Sequence, residues 1–383
     1  MELVNKKYTV TAQVLTPLSI GQGSEKDWVY GVDFLTQQDQ EGRQWLYHLS
    51  MEKMIDAGVD LDKLSLLFAN GRPEEIKRLV GNKLMQVSDL QMPLPITSMQ
   101  GLGNSIKTFL RNQLTNRPVL AGSSLKGAIR SVLFTYLAKE VNKREPKEER
   151  NPNAYIFGDM KDGSDFMRFI RVGDFEFTDT CLVNTKIYNL QGAEHNWQGG
   201  WKHSEKNTSD TFNPIGFNTI YECLPPGATA IGSIMFADAL FDKVAIQPFY
   251  IWKKSIMSNL DIAAKLCRII NDHTLKYLDK EIAFFDTYKE GDYSIAIYNN
   301  LAEIEEECWH IHENEPLSCI IKMSAGAGFH SITGDWQFEG YIEDQRHHMD
   351  RKRGGELPKS RKIAVSSSKA FSPMGFVKLT FNH

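Results

Sequence analysis

RPVLAGSSLKGAIRSVLF, residues 117–134, decides how the rest of this chain is read. An extended apolar entry, Pro118-Val119-Leu120, meets a turn of small residues, Ala121-Gly122-Ser123-Ser124. Beyond it Leu125, Ala128, Ile129, Val132, Leu133, Tyr136 and Leu137 recur at the spacing of one helical face. Ser123 or Ser124 is placed to cap the first turn. Lys126 and Arg130, four apart, share a face beside the apolar stripe. The free amides and dipole of a helix start attract anions, and two cations there strengthen the field. The stretch therefore suits a phosphate, although a capped helix with two solvated cations has the same sequence. It is not a nucleotide-hydrolysing loop, because Lys126 precedes Gly127 and no Ser or Thr follows in register. A phosphate held here belongs to a nucleic-acid backbone.

Strands and helices alternate around this segment. Upstream, Tyr8–Leu15 alternates as a strand and runs into the glycine loop SIGQG with Gly21 and Gly23. Trp28–Leu35 and Trp45–Leu49 read as strands, and 51–57, 60–69 and 73–80 as short helices. Downstream, Asn142–Asn153 is a charged loop, and Phe169–Phe177 and Cys181–Tyr188 are strands. Residues 189–213, rich in Gly, Asn and Ser, read as a long inserted loop. Phe217–Leu224 and Ala230–Phe236 flank PPGAT and predict a hairpin. Helices follow near 258–278 and 295–312, then a strand at Ser318–Met323 and a glycine-rich loop, SAGAGFHSITGD. A basic loop spans 345–362, and a last strand Gly375–Phe381. This order is α+β, and split β-α-β units of the ferredoxin-like type fit it.

The chain has 383 residues and a net charge of −4. A stand-alone nucleic-acid binder is usually basic, so the distribution of charge matters more than its sum. Glu303, Glu305, Glu306 and Glu307 form an acidic patch, while Arg346, Arg351, Lys352, Arg353, Lys359, Arg361 and Lys362 form a basic stretch. Such a chain suits a subunit that meets RNA on one side and proteins on others. Met1–Val10 lacks a signal-peptide core and no apolar run reaches spanning length, so a cytoplasmic protein without membrane contact is expected. The five cysteines are scattered and never form a CxxC pair, which suits reduced thiols.

Catalytic signals are weak. Cys308, His310, His312 and Cys319 lack paired zinc spacings, and residues two apart on a helix diverge. The sequence has no GxSxG, and Ser331 stands where a dinucleotide fingerprint needs its third glycine. His330, in the glycine-rich loop, is placed to contact a phosphate or fill a turn, and is also the best candidate for an acid–base role in RNA cleavage. Asp27 and Asp33 flank the second strand.

Three separated pieces, TPLSIGQG, VLAGSSLKGAIRSVL and SRKIAVSSSKAFSPMGFVKLTF, resemble the RAMP superfamily of CRISPR effector subunits. Ala121 stands where that family usually has proline. Within it the chain is most similar to the Cas7-like subunit that caps the crRNA 3′ end in type III-A (Csm) complexes; type III-B subunits are the near alternative. The resemblance implies an α+β, RRM-like (ferredoxin-like) RAMP fold with large insertions and a helical C-terminal part. We divide it into an N-terminal RRM-like domain, 1–240, and a C-terminal helical region, 241–383. It implies a non-catalytic crRNA-binding subunit that supports crRNA maturation in antiviral defence, without cofactor or metal. Its expected partners are crRNA, the backbone Cas7-like subunit and the small subunit, with target RNA nearby. The RNA-binding residues expected are Gly21, Gly23, Ser123, Ser124, Lys126, Arg130, Gly326, Gly328, His330, Arg351, Lys352, Arg353, Lys359, Arg361 and Lys362. The rival functions are an endoribonuclease using His330, a metal-dependent nuclease using Asp27 or Asp33, and a protein-interaction module without RNA contact.

Overall fold

The computed structural model describes residues 5–95, 103, 105–140, 152–193, 196–204, 207–213, 216–245, 247, 250–257, 261–288, 291–323, 325–326, 360–367 and 370–382. The first strand, β1 (Lys6–Val14), buries Val10, Ala12 and Val14 on one face. A three-stranded meander follows: β2 (Phe34–Gln38), β3 (Gln44–Leu49) and β4 (Ser88–Pro93). Helices α1 (Met51–Asp56), α2 (Leu61–Ala69) and α3 (Pro73–Val80) are inserted between its last two strands. Ser50 caps α1, Asp60 caps α2, and Pro73 opens α3, where a missing N–H costs nothing. The order continues with α4 (Gly122–Glu140), β5 (Ile170–Val172), β6 (Cys181–Ala193), β7 (Asn196–Lys202), β8 (Asn218–Cys223) and β9 (Thr229–Phe236). It ends with α5 (Ile262–Thr287), α6 (Gly291–Asn314), β10 (Ser318–Lys322), β11 (Ser360–Ser367), β12 (Ala370–Ser372) and β13 (Phe376–Asn382).

One antiparallel sheet has the strand order β10-β13-β1-β9-β5. Reading β1-α4-β5-β9-α5-β13 along the chain gives the ferredoxin-like β-α-β-β-α-β unit. β10 is added outside β13, and strands from both sides of residue 240 share the sheet. The apolar stripe of α4 packs here: Leu125, Ile129 and Leu133 join Val10, Val14, Ile262 and Leu266 in one core. Each fully buried aliphatic side chain contributes about 1.5–3 kcal/mol. A second sheet is built on the long strand β6, which pairs with β7 and β8 on its two halves and with β11, itself paired with β12. Tyr188 and Trp201 of this sheet pack against Leu278 and Phe285 of α5 and Leu301 of α6.

Several sequence expectations change. Residues 189–213 are not one long loop, since β6 runs to Ala193 and β7 occupies Asn196–Lys202. Their composition is poor for strands, but Trp201 is buried and meets Tyr188 edge-on at 5.4 Å, so tertiary packing overrides propensity. The expected hairpin at 217–236 does not form, because β8 pairs with β6 and β9 with β1. Its PPGAT turn carries the chain from one sheet to the other, held by backbone hydrogen bonds between Leu18 and Leu224. Trp28–Leu35 splits at Gly31, whose φ of +81° breaks the strand. Phe169–Phe177 splits at Gly173, leaving β5 and a separate Phe175–Glu176 strand. The basic stretch 345–362 enters β11 at Ser360, and residues before it lie outside the described residues.

α4 carries two glycines for different reasons. A Cβ on Gly122 would lie 2.7 Å from the Gly173 carbonyl and would also strike that of Val172, so the helix start packs directly on the end of β5. Gly127 is exposed in mid-helix, and a Cβ there would meet nothing within 4 Å. Denaturant unfolding of Gly122→Ala is expected to show a loss of about 1–3 kcal/mol from overpacking. Gly127→Ala is expected to gain about 1 kcal/mol through helix propensity. Equal stability of the two variants would contradict this assignment.

Candidate nucleic-acid interface

The loop after β1, Thr16–Gly23, forms the floor of a cleft. Leu18 exchanges backbone hydrogen bonds with Leu224, and Ile20 accepts one from Leu110 at 2.8 Å. Ser19 accepts from Ala325 N at 3.3 Å and Pro17 from Gly375 N at 2.9 Å, while the Thr16 hydroxyl accepts from Phe376 N at 3.0 Å. The loop thus draws residues 107–111, the end of β8, the start of the glycine-rich segment and β13 around itself.

The resulting cleft has a volume of about 500 Å³. Gly21 and Gly23 line one wall, and Ser124, Gly127, Ala128 and Ser131 of α4 the other. These α4 residues fall at i, i+3, i+4 and i+7, one helical face. Ser24, Asp27, Lys107, Thr108, Tyr221, Lys322, Met323 and Ala325 also line it, with Asp27 paired to Lys107. A Cβ on Gly21 would meet nothing within 4 Å, so backbone is presented to the cleft on both walls. Hydroxyls, bare backbone and lysines in one cleft are the groups that meet phosphate and sugar rather than base edges.

The cations of the opening motif face elsewhere. The Arg130 guanidinium lies 3.6 Å from Asp165 and 4.1 Å over the Phe157 ring. Burial holds the Lys126 amine below the ordinary lysine range; Asp165 opposes that shift, and Arg130 and Arg171 add to it. The cap of α4 is Asp174, whose carboxylate accepts from Gly122 N at 2.7 Å, rather than Ser123 or Ser124. The anion drawn to this helix start belongs to the protein itself. Ser123 is exposed, and Ser124 is the one of the pair that lines the cleft.

Gly326, Arg361 and Lys362 line a second recess of about 200 Å³. Arg361 is buried, donates to Glu281 at 2.7 Å and lies 3.7 Å over the Phe284 ring. Lys362 donates to the Tyr221 hydroxyl and sits 4.5 Å over that ring. Gly328, His330, Arg351, Lys352, Arg353 and Lys359 lie outside the described residues.

The two aspartates of the nuclease alternative are engaged structurally. Asp27 is ion-paired to Lys107, and Asp33 accepts from Val29 N at 2.7 Å. Among the described residues no group of three or more His, Cys, Asp or Glu is arranged to hold a metal ion. Cys308 is buried with its thiol pushed up to about 12 by burial, and Cys319 interacts with Cys267 instead. No helix among the described residues is long and apolar enough to cross a membrane.

Lys107, Gly127, Tyr221 and Lys322 are cleft residues that the sequence did not single out. Gly127 had a signal, a glycine inside a periodic helix. Lys107 is placed by its backbone, which donates to the Ile220 carbonyl at 3.0 Å and accepts from Glu222 N at 2.8 Å. The fully buried Glu222 carboxylate accepts from Phe109 N at 2.8 Å and Thr180 Oγ1 at 2.6 Å and is ion-paired to Arg111.

No curated protein sequence matches this chain. Solved structures do. One is a chain of a type III-A CRISPR-Cas Csm–crRNA–target RNA ternary complex determined by cryo-EM, with a TM-score of 0.67 at 17% identity, covering 98% of this chain and 100% of that one. Another is the crystal structure of T. onnurineus Csm5, with a TM-score of 0.59 at 16% identity, covering 96% of this chain and 99% of that one. At such identities the likeness establishes the fold, α+β with a helical C-terminal part. The sequence pattern of the RAMP superfamily matches residues 11–295, which include the end of β1 with β5 and β9 of the first sheet, α4 and the glycine loop, and the chain belongs to that superfamily.

Proposed function

We propose that this chain is a non-catalytic, crRNA-binding subunit of a type III-A (Csm) interference complex, seated at the 3′ end of the crRNA. The observation that carries the reading is the cleft. Its walls are the glycine loop after β1 and the Ser124–Ser131 face of α4, two of the three segments that resemble RAMP proteins. The likeness over nearly the full chain to a protein in a Csm–crRNA–target RNA complex and to Csm5 supports the same reading. The partners proposed are crRNA, the backbone Cas7-like subunit and the small subunit, with target RNA nearby, in the cytoplasm. Binding reads backbone and shape, because the cleft offers hydroxyls, lysines and open main chain. The engagement of Asp27 and Asp33 in structural contacts supports a role without cleavage.

Tagged protein purified from its host is expected to carry short RNAs with a repeat-derived 5′ end, together with other CRISPR subunits. Gly127→Glu adds a carboxylate where a side chain has open space. It should leave the fold intact and lower bound RNA by about tenfold, as like charge faces phosphate. Undiminished RNA in that variant would remove the cleft from the reading.

Labelled RNA incubated with the pure protein should remain uncut with or without divalent cations. Asp27→Ala and Asp33→Ala should change nothing in that assay. Divalent-dependent cleavage lost in Asp33→Ala would instead establish the nuclease alternative.

A further inference from the structure

Lys322, the last residue of β10, is the residue that lines both the cleft and the second recess. It is only 6% exposed. Its amine donates to the Met374 carbonyl and sits 4.8 Å from the Phe376 ring centre and 5.9 Å from that of Tyr277. Among the described residues no carboxylate lies within ion-pair distance of it. The nearby Glu281 is committed to Arg361 at 2.7 Å. A buried charge without a counter-charge is costly, because one carbonyl and two ring faces do not replace its water. Gly375, at φ +83°, lets the main chain pack closely beside it: a Cβ there would strike the Met323 carbonyl and lie 3.6 Å from the Lys322 amine.

The surroundings are those of an anion site. Arg361 and Lys362 of β11 line the recess with Lys322, against one carboxylate, Glu281 of α5. On the cleft side the charged neighbours are Lys107 and Asp27, which pair with each other. Three cations and one acid line this recess, which shares Lys322 with the cleft.

We propose that Lys322 is an RNA-phosphate ligand: a backbone phosphate of the strand in the cleft supplies its missing counter-charge, at the point where the path runs on towards Lys362. This rests on the RNA-binding reading above. It also gives binding a proton. Burial pushes the Lys322 amine down to about 7, with Glu281 opposing the shift. Free protein therefore holds Lys322 charged below that pH and neutral above it. A bound phosphate favours the charged form, so binding above pH 7 takes up a proton and weakens as pH rises.

Fluorescence anisotropy of a labelled uridine oligonucleotide with the full chain, from about pH 6 to about pH 9, tests this. Wild-type affinity is expected to fall above pH 7, by at most about tenfold per pH unit for one linked proton. Lys322→Met should bind about tenfold more weakly at pH 6, lose the pH dependence, and melt at the same or a higher temperature, since an apolar isostere removes the buried charge. Lys322→Arg, charged throughout, should keep binding without the fall above pH 7. Lys322→Met binding as tightly as wild type at pH 6 would overturn the assignment while leaving RNA binding in the cleft intact. A pH slope that survives in Lys322→Met would overturn it too, pointing to another group such as Lys253, also pushed to about 7, or Lys186, pushed to about 8. Absence of RNA binding by wild type at every pH, and from the native complex, would remove both this proposal and the reading beneath it.

Discussion

The structure depends on eight residues of main chain. Between Thr16 and Gly23 the backbone hydrogen-bonds to Leu110, Leu224, Ala325 and Gly375, and the Thr16 side chain to Phe376. These partners are separated from the loop by roughly ninety to several hundred residues, so each bond closes a long loop whose entropy must already have been lost. The loop's own side chains add little beyond the bonds of Thr16 to Phe376 and Gln22 to the Phe109 carbonyl. Its shape is imposed by what it is stitched to. The first sheet brings β1 and β13 together, and the crossing from β8 to β9 passes Leu18 on its way between sheets. Without either, the cleft floor has no partners and α4 has no opposite wall.

Around this loop the chain accepts local destabilisation where the cleft requires it. Gly127 in mid-helix forgoes about 1 kcal/mol relative to alanine. Lys322 places an amine in a buried site where it donates to one carbonyl, that of Met374. Elsewhere Arg361 is paired with Glu281, Arg111 with Glu222 and the half-exposed Lys107 with Asp27, while the buried Lys186, like Lys322, is given a carbonyl, that of Gly216. The open glycine and a lysine with no carboxylate at ion-pair distance among the described residues lie on one cleft. Departures from local consistency are expected at functional positions.

How much of this was legible varied with the range of the interaction that decided each element. The stripe of α4 was readable because helix periodicity is local, and its apolar residues do enter the core. The ferredoxin-like order was readable because it follows from the sequence of strands and helices. Residues 189–202 were misread as loop because their strands exist only through Trp201 and Tyr188 packing on α5 and α6. The 217–236 hairpin was misread because adjacency and a Pro-Gly turn predict pairing, whereas each strand found a better partner in a different sheet. Gly21, Gly23 and Ser124, singled out in two separate motifs, line one cleft. Lys322 was invisible, since nothing in SCIIKM distinguishes a lysine that ends a buried strand from one that reaches solvent.

The cations of the opening motif show the limit of reading charge from spacing. Lys126 and Arg130 sit four apart, and that spacing does place them together on a face of α4, beside Asp165 and Phe157. It does not say which face. At about 100° per residue Ser124, Gly127, Ala128 and Ser131 are displaced from Lys126 by roughly 100° or more and from Arg130 by roughly 60° or more, and it is these that meet the cleft. The helix start, which by its dipole invites an anion, receives Asp174 from the end of β5. A motif that looks built around two cations therefore presents its small residues to the cleft. The turn Gly122-Ser123-Ser124 brings the helix against the sheet, and the next small residues leave backbone bare along the cleft. The positive charge that faces the cleft comes from Lys107 and Lys322, contributed by segments far away in the chain and brought there by the stitched loop.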